Sequence, residues 1–241
     1  ATFIKNKINK LHPDLDGQLI DSNYIYEEGE SMYRMYLVEY AGVNKETGEA
    51  MYWAKKDNGE LYTTANYSIA QSTNKVATQN LMPKVYGGIG TSVQAYGFDA
   101  SLQLSYQLGG KIYDSGYRSL MQGKGSGQNW HKDIYKAWTP ENTETDVPRL
   151  NAQDRYTYTS STRWLTNSNY LSLNNITVGY TLPKELVRKM MLEKLRIYFA
   201  ADNVALISAR KGLDPRQSYT TATTSTYTAI RTISGGVSLT F

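Results

Sequence analysis

The chain has 241 residues, no cysteine, 21 tyrosines against 4 phenylalanines and a formal charge of +4. A mean hydropathy of -0.52 and the lack of a long apolar run exclude a helical membrane protein. They leave a β-barrel open, because only every second barrel residue meets lipid.

The tyrosine excess fits a membrane interface, where a ring meets lipid and a hydroxyl meets water, and it fits a sugar-binding surface equally well. The absence of cysteine suits an envelope protein without disulfides and many cytosolic proteins alike. No basic stripe accompanies the small charge, so no nucleic-acid partner is expected. The opening Ala1-Thr2-Phe3-Ile4-Lys5 lacks the charged start and apolar core of a signal peptide. An outer-membrane reading therefore implies a processed chain or a fragment of a longer one.

In chain order, weak strand patterns cover 3–10, 32–41 and, with interruptions, 49–63. Val43-Asn44-Lys45-Glu46-Thr47-Gly48 reads as a turn between two of them. Over 84–95, Val85, Ile89, Val93 and Ala95 share a face. In Phe98–Leu108, Phe98, Ala100, Leu102, Leu104, Tyr106 and Leu108 alternate with Asp99, Ser101, Gln103, Ser105 and Gln107. Tyr96-Gly97 alone separates these two segments, which predicts a tight hairpin.

Over 170–182, Leu171 and Leu173 lie on one face, and Ile176, Val178, Tyr180 and Leu182 on the other. A β-bulge at Asn174-Asn175 would restore a single apolar face. Pro183 ends that strand. A short helical turn follows over 184–194, with Leu186, Met190 and Val187 covering one side. Leu195, Ile197, Phe199 and Ala201 alternate in the next strand, 195–204. In the last, 231–241, Ile233, Gly235, Val237, Leu239 and Phe241 alternate with Thr232, Ser234, Gly236, Ser238 and Thr240. The Ser/Thr run from Ser218 to Thr228 reads as a loop tip.

Eight candidate strands result. Counting back from Phe241, connections 207–230, 110–168 and 64–83 fall on one side; 183–194, Tyr96-Gly97 and the turn near Val43 fall on the other. An outer-membrane barrel sorts its long loops and short turns in this way. The fold class expected is all-β: a transmembrane antiparallel barrel. Eight strands could close alone or form the last part of a larger barrel, which the nearly sixty-residue loop favours. A soluble β-rich carbohydrate-binding module and a small adhesin-like barrel are the competing readings.

Little in the sequence points to catalysis or bound ions. His12 and His131 have no companion at zinc-ligand spacing. The Gly-rich run 123–127 lacks the ending of a phosphate loop, and Asp57-Asn58-Gly59-Glu60 reads as a turn rather than a calcium loop. Asn66-Tyr67-Ser68 and Asn175-Ile176-Thr177 match the glycosylation sequon by chance. Glu27-Glu28 and Glu141/Glu144 lie in loops without the surroundings of glycosidase carboxylates. No enzyme and no cofactor is expected. Recognition remains: Trp53, Tyr113, Tyr117, Trp130 and Trp138 lie in or beside the external loops and could stack on sugar rings. They could equally pack the loops together. Tyr106, Tyr170 and Tyr180, near strand ends, suit an interfacial girdle.

Across almost its whole length the chain resembles the C-terminal part of the SusC/RagA-type TonB-dependent transporters of the Bacteroidetes outer membrane. The matching stretches are, in order, Asn6-Lys7-Ile8, Gly42-Val43-Asn44-Lys45-Glu46-Thr47-Gly48, Pro83-Lys84-Val85-Tyr86-Gly87-Gly88, Tyr96-Gly97-Phe98-Asp99-Ala100 and Leu108-Gly109-Gly110-Lys111-Ile112-Tyr113. They continue with Ala137-Trp138-Thr139-Pro140-Glu141-Asn142, Tyr170-Leu171-Ser172-Leu173-Asn174-Asn175, Val178-Gly179-Tyr180-Thr181-Leu182-Pro183, Ala201-Asp202-Asn203-Val204, Gly212-Leu213-Asp214-Pro215-Arg216 and the terminal Phe241. The region from Asp202 to Gln217 looks most like the starch-type members.

The resemblance implies that residues 1–241 supply about the last eight strands of a 22-stranded barrel in the outer membrane, with Phe241 at its closure. It implies an N-terminal plug and earlier strands beyond this chain, and a TonB complex that engages that missing part. It also implies a SusD-type surface lipoprotein as partner, and energised import of oligosaccharides or, in some members, peptides.

Overall fold

The computed structural model describes residues 1–122, 127, 129–151, 154, 157–218, 221–222 and 227–241. Most of the Gly-rich run and of the Ser/Thr run lie outside the described residues. The main sheet is antiparallel and has six strands: β1 (Thr2–Phe3), β2 (Val85–Ala95), β3 (Phe98–Leu108), β4 (Tyr170–Thr181), β5 (Lys194–Ser208) and β6 (Thr232–Thr240). Sequence order is spatial order throughout, so β2 to β6 form an up-and-down meander.

Local chemistry explains each join. Tyr96 and Gly97 both have positive φ, 51° and 86°, the two-residue hairpin geometry whose twist matches the flanking strands. At Asn174 the β3–β4 register steps from Leu104↔Leu173 to Gln103↔Asn175, as the phase change requires. The β4–β5 register shifts at the same place, opposite Asn203, whose φ is 51°. The bulge puts Leu171, Leu173, Ile176, Val178 and Tyr180 on one face with the apolar residues of β3 and β5.

That face carries the exposed apolar side chains: Ile89, Val93, Phe98, Leu171, Val178, Ile197, Phe199, Ile207, Ile233, Val237 and Leu239. Ile89 is 59% and Val237 60% exposed. A water-soluble sheet would bury such a face; a barrel turns it to lipid. The opposite face is small and polar, with Asp99, Ser101, Gln103 and Ser105 on β3 and Thr232, Ser234, Gly236 and Ser238 on β6. The Tyr96-Gly97 turn and the 182–193 connection lie at one end of the sheet, and the connections 109–169 and 209–231 at the other.

The first third of the chain departs from the expectation. Of 3–10 only Phe3 joins the main sheet, with Thr2 before it. Tyr36–Val38 pairs with Lys75–Ala77 instead, and Tyr40–Val43, Ala50–Lys55 and Leu61–Thr64 make a separate three-stranded sheet. Their alternation comes from a buried face: Ala50, Tyr52 and Ala54 pack with Val38 and Ala70. Among the described residues the main sheet therefore holds five long strands and a two-residue edge strand, against an expectation of about eight. Connection 64–83 also contains helix α1 (Tyr67–Thr73), capped by Asn66 of the first sequon, whose Oδ1 accepts from Ser68 N at 3.0 Å.

The turn near Val43 is likewise on the long-loop side, not the short-turn side. Gly48, at φ +72°, lies under the Trp138 ring, and Lys45 Nζ meets Glu144 at 2.6 Å. Parity counted through strands outside the sheet misplaced it. The described residues of 24–81 and 110–168 instead form one layer over the strand ends. Its core is Met35, Leu37, Leu81, Tyr113, Met121, Ile134 and Trp164. The fold thus buries its main core above the barrel wall, whose own two faces serve lipid and lumen.

Candidate functional site

Two surfaces are available for function: the polar face of the main sheet and the loop layer at its long-loop end. On the polar face, Asp99↔Gly179↔Tyr198↔Gly236 form one row across four strands. Arg196 lies flat over Gly179, donating from Nε to Asp99 Oδ1 at 2.9 Å, with its guanidinium 5.1 Å from the Tyr198 ring. Tyr198 lies over Gly236, where a Cβ would meet the ring at 2.5 Å. The glycines let long polar side chains lie along the wall and keep the passage clear. Higher up, Asn175 Nδ2 donates to Asp202 Oδ1 at 2.8 Å and Ser105 Oγ to Asn174 Oδ1 at 3.1 Å.

At the strand tops, two arginines after β5 tie the loop layer to the wall. Arg210 Nε donates to Asp114 Oδ2 at 3.1 Å, and its guanidinium stacks 4.5 Å from the Tyr117 ring. Asp114 also caps helix α2 (Ser115–Leu120), its Oδ1 accepting from Tyr117 N at 2.8 Å. Arg216 Nη1 donates to Ser172 Oγ of β4 at 3.0 Å, while Nη2 holds Asp214 Oδ2 at 2.7 Å. Burial pushes the Asp214 carboxyl up, but the Arg216 side chain and backbone outweigh it, and the carboxyl titrates below its usual range. Beside these residues lies a cavity of about 580 Å³ lined by Leu206, Ser208, Arg210, Leu213, Asp214 and Arg216. It falls within the size range of small-ligand sites.

Around Tyr117 the polar groups form one network. Its hydroxyl donates to Asp133 Oδ2 at 3.0 Å, and its ring meets His131 edge-on at 4.8 Å. Burial and the Asp133 carboxylate hold the phenol above its ordinary range. Burial lowers His131, against the pull of Asp133. Burial raises Asp133, but Lys136, Tyr117 and His131 reverse the shift and leave it lowered. Burial also pushes Tyr40 up to about 12. These are closed sets of donors and acceptors, suited to holding loops in place.

The expected sugar-stacking residues separate into two groups. Tyr113 is a core residue whose hydroxyl accepts from Arg118 Nη1 at 2.9 Å. Tyr117 is held as described, and Trp138 covers Gly48 and donates from Nε1 to Lys45 O at 3.0 Å. All three pack within the loop layer, Tyr113 buried and Tyr117 and Trp138 half-buried. Trp53, half-buried on Ala50–Lys55, and Trp130, 40% exposed, keep ring surface toward solvent. The structure does not bring these five residues into a single platform. Phe241 follows β6 and is 83% exposed; β6 pairs only with β5 among the described residues. Tyr106 and Tyr180 lie on the apolar face near opposite ends of the sheet, as a girdle requires. Tyr170 pairs with Gln107 and Ser208 and faces the polar side, because the bulge inverts the phase above it.

Three of the four residues in the acid pairs have structural partners. Glu27 Oε2 accepts from Arg34 Nη1 at 2.6 Å, Glu28 Oε1 from Leu11 N at 2.8 Å, and Glu144 binds Lys45. Asp57 to Glu60 form the expected turn, with Gly59 at φ 87°. Sequence reasoning missed Asp114, Trp164, Arg210 and Arg216 as organising residues. Gly212-Leu213-Asp214-Pro215-Arg216 is legible as a motif, but Arg216 reaches Ser172 across 44 residues, and Arg210, just before the motif, reaches Asp114 across 96.

No protein-family profile matches the chain. It is 31% identical over 231 residues to the TonB-dependent receptor P3 of Formosa agariphila, covering 89% of this chain and 22% of that protein. Among solved structures it is similar to the RagAB peptide transporter, with a TM-score of 0.77 and 27% identity over 98% of this chain. The RagAB peptide importer in its closed-closed state gives a TM-score of 0.77 and 26% identity. The chain spans 22% of the length of the first relative and 26% of the second. Joint agreement in sequence, fold and face chemistry makes this chain a SusC/RagA-like segment of a TonB-dependent outer-membrane β-barrel.

Proposed function

We propose that the complete protein imports oligomeric nutrients across the outer membrane, energised through TonB and assisted by a SusD-type surface lipoprotein. Residues 1–241 supply the C-terminal part of a 22-stranded barrel, with the plug and earlier strands outside this chain. Phe241 then marks the strand that closes against the first. The observation that carries the reading is the likeness to the RagAB peptide transporter over 98% of the chain.

That likeness supports a peptide cargo. Oligosaccharide import is the second reading, supported by the exposed rings of Trp53 and Trp130. A panel of peptides and oligosaccharides, offered to the complete transporter with its lipoprotein, tests both. Saturable peptide binding, unaffected by Trp53→Ala and Trp130→Ala, supports the first. Oligosaccharide binding that those substitutions weaken supports the second. Binding of neither class contradicts the proposal.

A further inference from the structure

The connection between β4 and β5 is longer than a barrel turn needs. Thr181 and Lys194 could be joined by a few residues, as Ala95 and Phe98 are by two. Instead 182–193 folds into helix α3 (Lys184–Arg188) and a turn through Met191, whose φ is 58°. Its own small core shows where it lies. Val187 and Leu192 pack with Leu182 and Leu195. Leu195 pairs with Leu239, and Leu182 N donates to Leu195 O at 3.0 Å, so both belong to the apolar outward rows of the sheet. The helical turn is therefore folded over the lipid-facing rim and not beneath the lumen.

The sequence expectation for this turn was partly inverted. Val187 is buried, while Leu186 and Met190, expected to cover a side, are exposed, and Met191 is 90% exposed. These apolar side chains are exposed like Phe98, Ile197 and Leu239 of the outward belt, and the turn that carries them packs on Leu195, which pairs with Leu239. Beside them stand Lys184, Arg188, Lys189 and Lys194, all exposed, against Glu185 and Glu193. Exposed apolar residues next to a cationic excess, continuous with a lipid-facing surface, have the makeup of an interfacial membrane contact.

We infer that 182–194 is a membrane foot: Leu186, Met190 and Met191 enter the edge of the inner leaflet, and Lys184, Arg188 and Lys189 bind anionic phospholipid headgroups. The inference rests on the barrel orientation and is independent of cargo.

The test uses the complete transporter in lipid nanodiscs, freed of other cysteines, with a fluorophore at Met190→Cys or, as a control, at Phe199→Cys in the outward belt. Nitroxide lipid should quench both labels, and aqueous iodide should leave the Phe199 label untouched. A Met190 label quenched by iodide but not by lipid, or shielded from both, overturns the foot while the Phe199 control upholds the barrel. Failure of both labels to meet lipid overturns the barrel and the foot together. Adding phosphatidylglycerol to a zwitterionic nanodisc should raise the melting temperature of the native protein, and K184Q/R188Q/K189Q should abolish that rise. An equal rise in both proteins overturns the headgroup contact.

Discussion

Arg210 Nε lies 3.1 Å from Asp114 Oδ2 across 96 residues of chain, joining the end of β5 to the first helix of the long loop. Asp114 is buried and caps α2 with its other oxygen, so one carboxylate fixes a helix start and a strand end together. Its removal leaves Nε and Nη2 of Arg210 and the Tyr117 amide without their acceptor.

Asp114→Ala should therefore loosen the loop layer by about 3 kcal/mol, the usual scale for breaking one side of a buried pair. Hydrogen exchange is the measurement. Protection should fall in 110–122 and 209–217 and stay unchanged in 98–108. Unchanged exchange in the loops would contradict the role given to Asp114.

Gly236 and Tyr198 make a second pair. Gly236→Ala places a methyl 2.5 Å from the Tyr198 ring, in a wall where the ring cannot retreat without entering the passage. Overpacking of this kind costs about 1–3 kcal/mol. The folded, heat-modifiable band of the complete barrel should diminish on gels. Adding Tyr198→Ala should restore it. A double variant worse than either single one would show that the ring does not lie over the glycine.

Trp138 should matter for stability, not for stacking on a cargo. Trp138→Ala uncovers Gly48 and leaves Lys45 O without its indole donor. Exchange should rise in 43–49 with a loss of about 3 kcal/mol, the scale of a large-to-small aromatic substitution. The prediction fails if 43–49 exchanges as in the native protein.

Acid should loosen the loop layer in two steps. His131 is lowered from its ordinary value of 6.5, so the folded state binds fewer protons than the unfolded one just below that pH. Stability from its neutral form is full above about 6.5 and is lost as pH falls toward the lowered value. Asp133 and Asp214 are lowered from 3.8, so their contribution is present above that pH and is lost as pH falls through their folded values. Chemical denaturation followed against pH should show the upper step, and His131→Gln should remove it while leaving the lower one.

The meander was readable because lipid and lumen impose opposite chemistry on alternate residues. From Phe98 to Leu108 that period is unbroken, and at Asn174 its slip marked the bulge. The same period misled at Ala50–Lys55. A strand with Ala50, Tyr52 and Ala54 in a protein core alternates just as one facing lipid does. Burial of Tyr113 and Trp164 was equally hidden, since aromatic rings serve cores, girdles and binding surfaces with the same atoms. The arginine clasps depend on pairings across distant loops, which local sequence does not encode. The sequence expects Leu186 and Met190 to cover one side of the helical turn, yet both are exposed. Their surroundings are an outward rim, visible only once the register of β4 and β5 places Leu182 and Leu195.

The central claim is that this meander is a membrane-barrel wall. Single cysteines placed in turn at positions 98 to 108 of the complete protein, in its own membrane, test it most directly. A membrane-impermeant thiol reagent should label the sites of Asp99, Ser101, Gln103 and Ser105 through the lumen when the passage is open, while position 107, buried against Ser168, stays protected. A lipid-soluble reagent should label those of Phe98, Ala100, Leu102, Leu104 and Leu108. That strict alternation is the predicted result; uniform labelling by the water-soluble reagent at all positions would contradict the barrel.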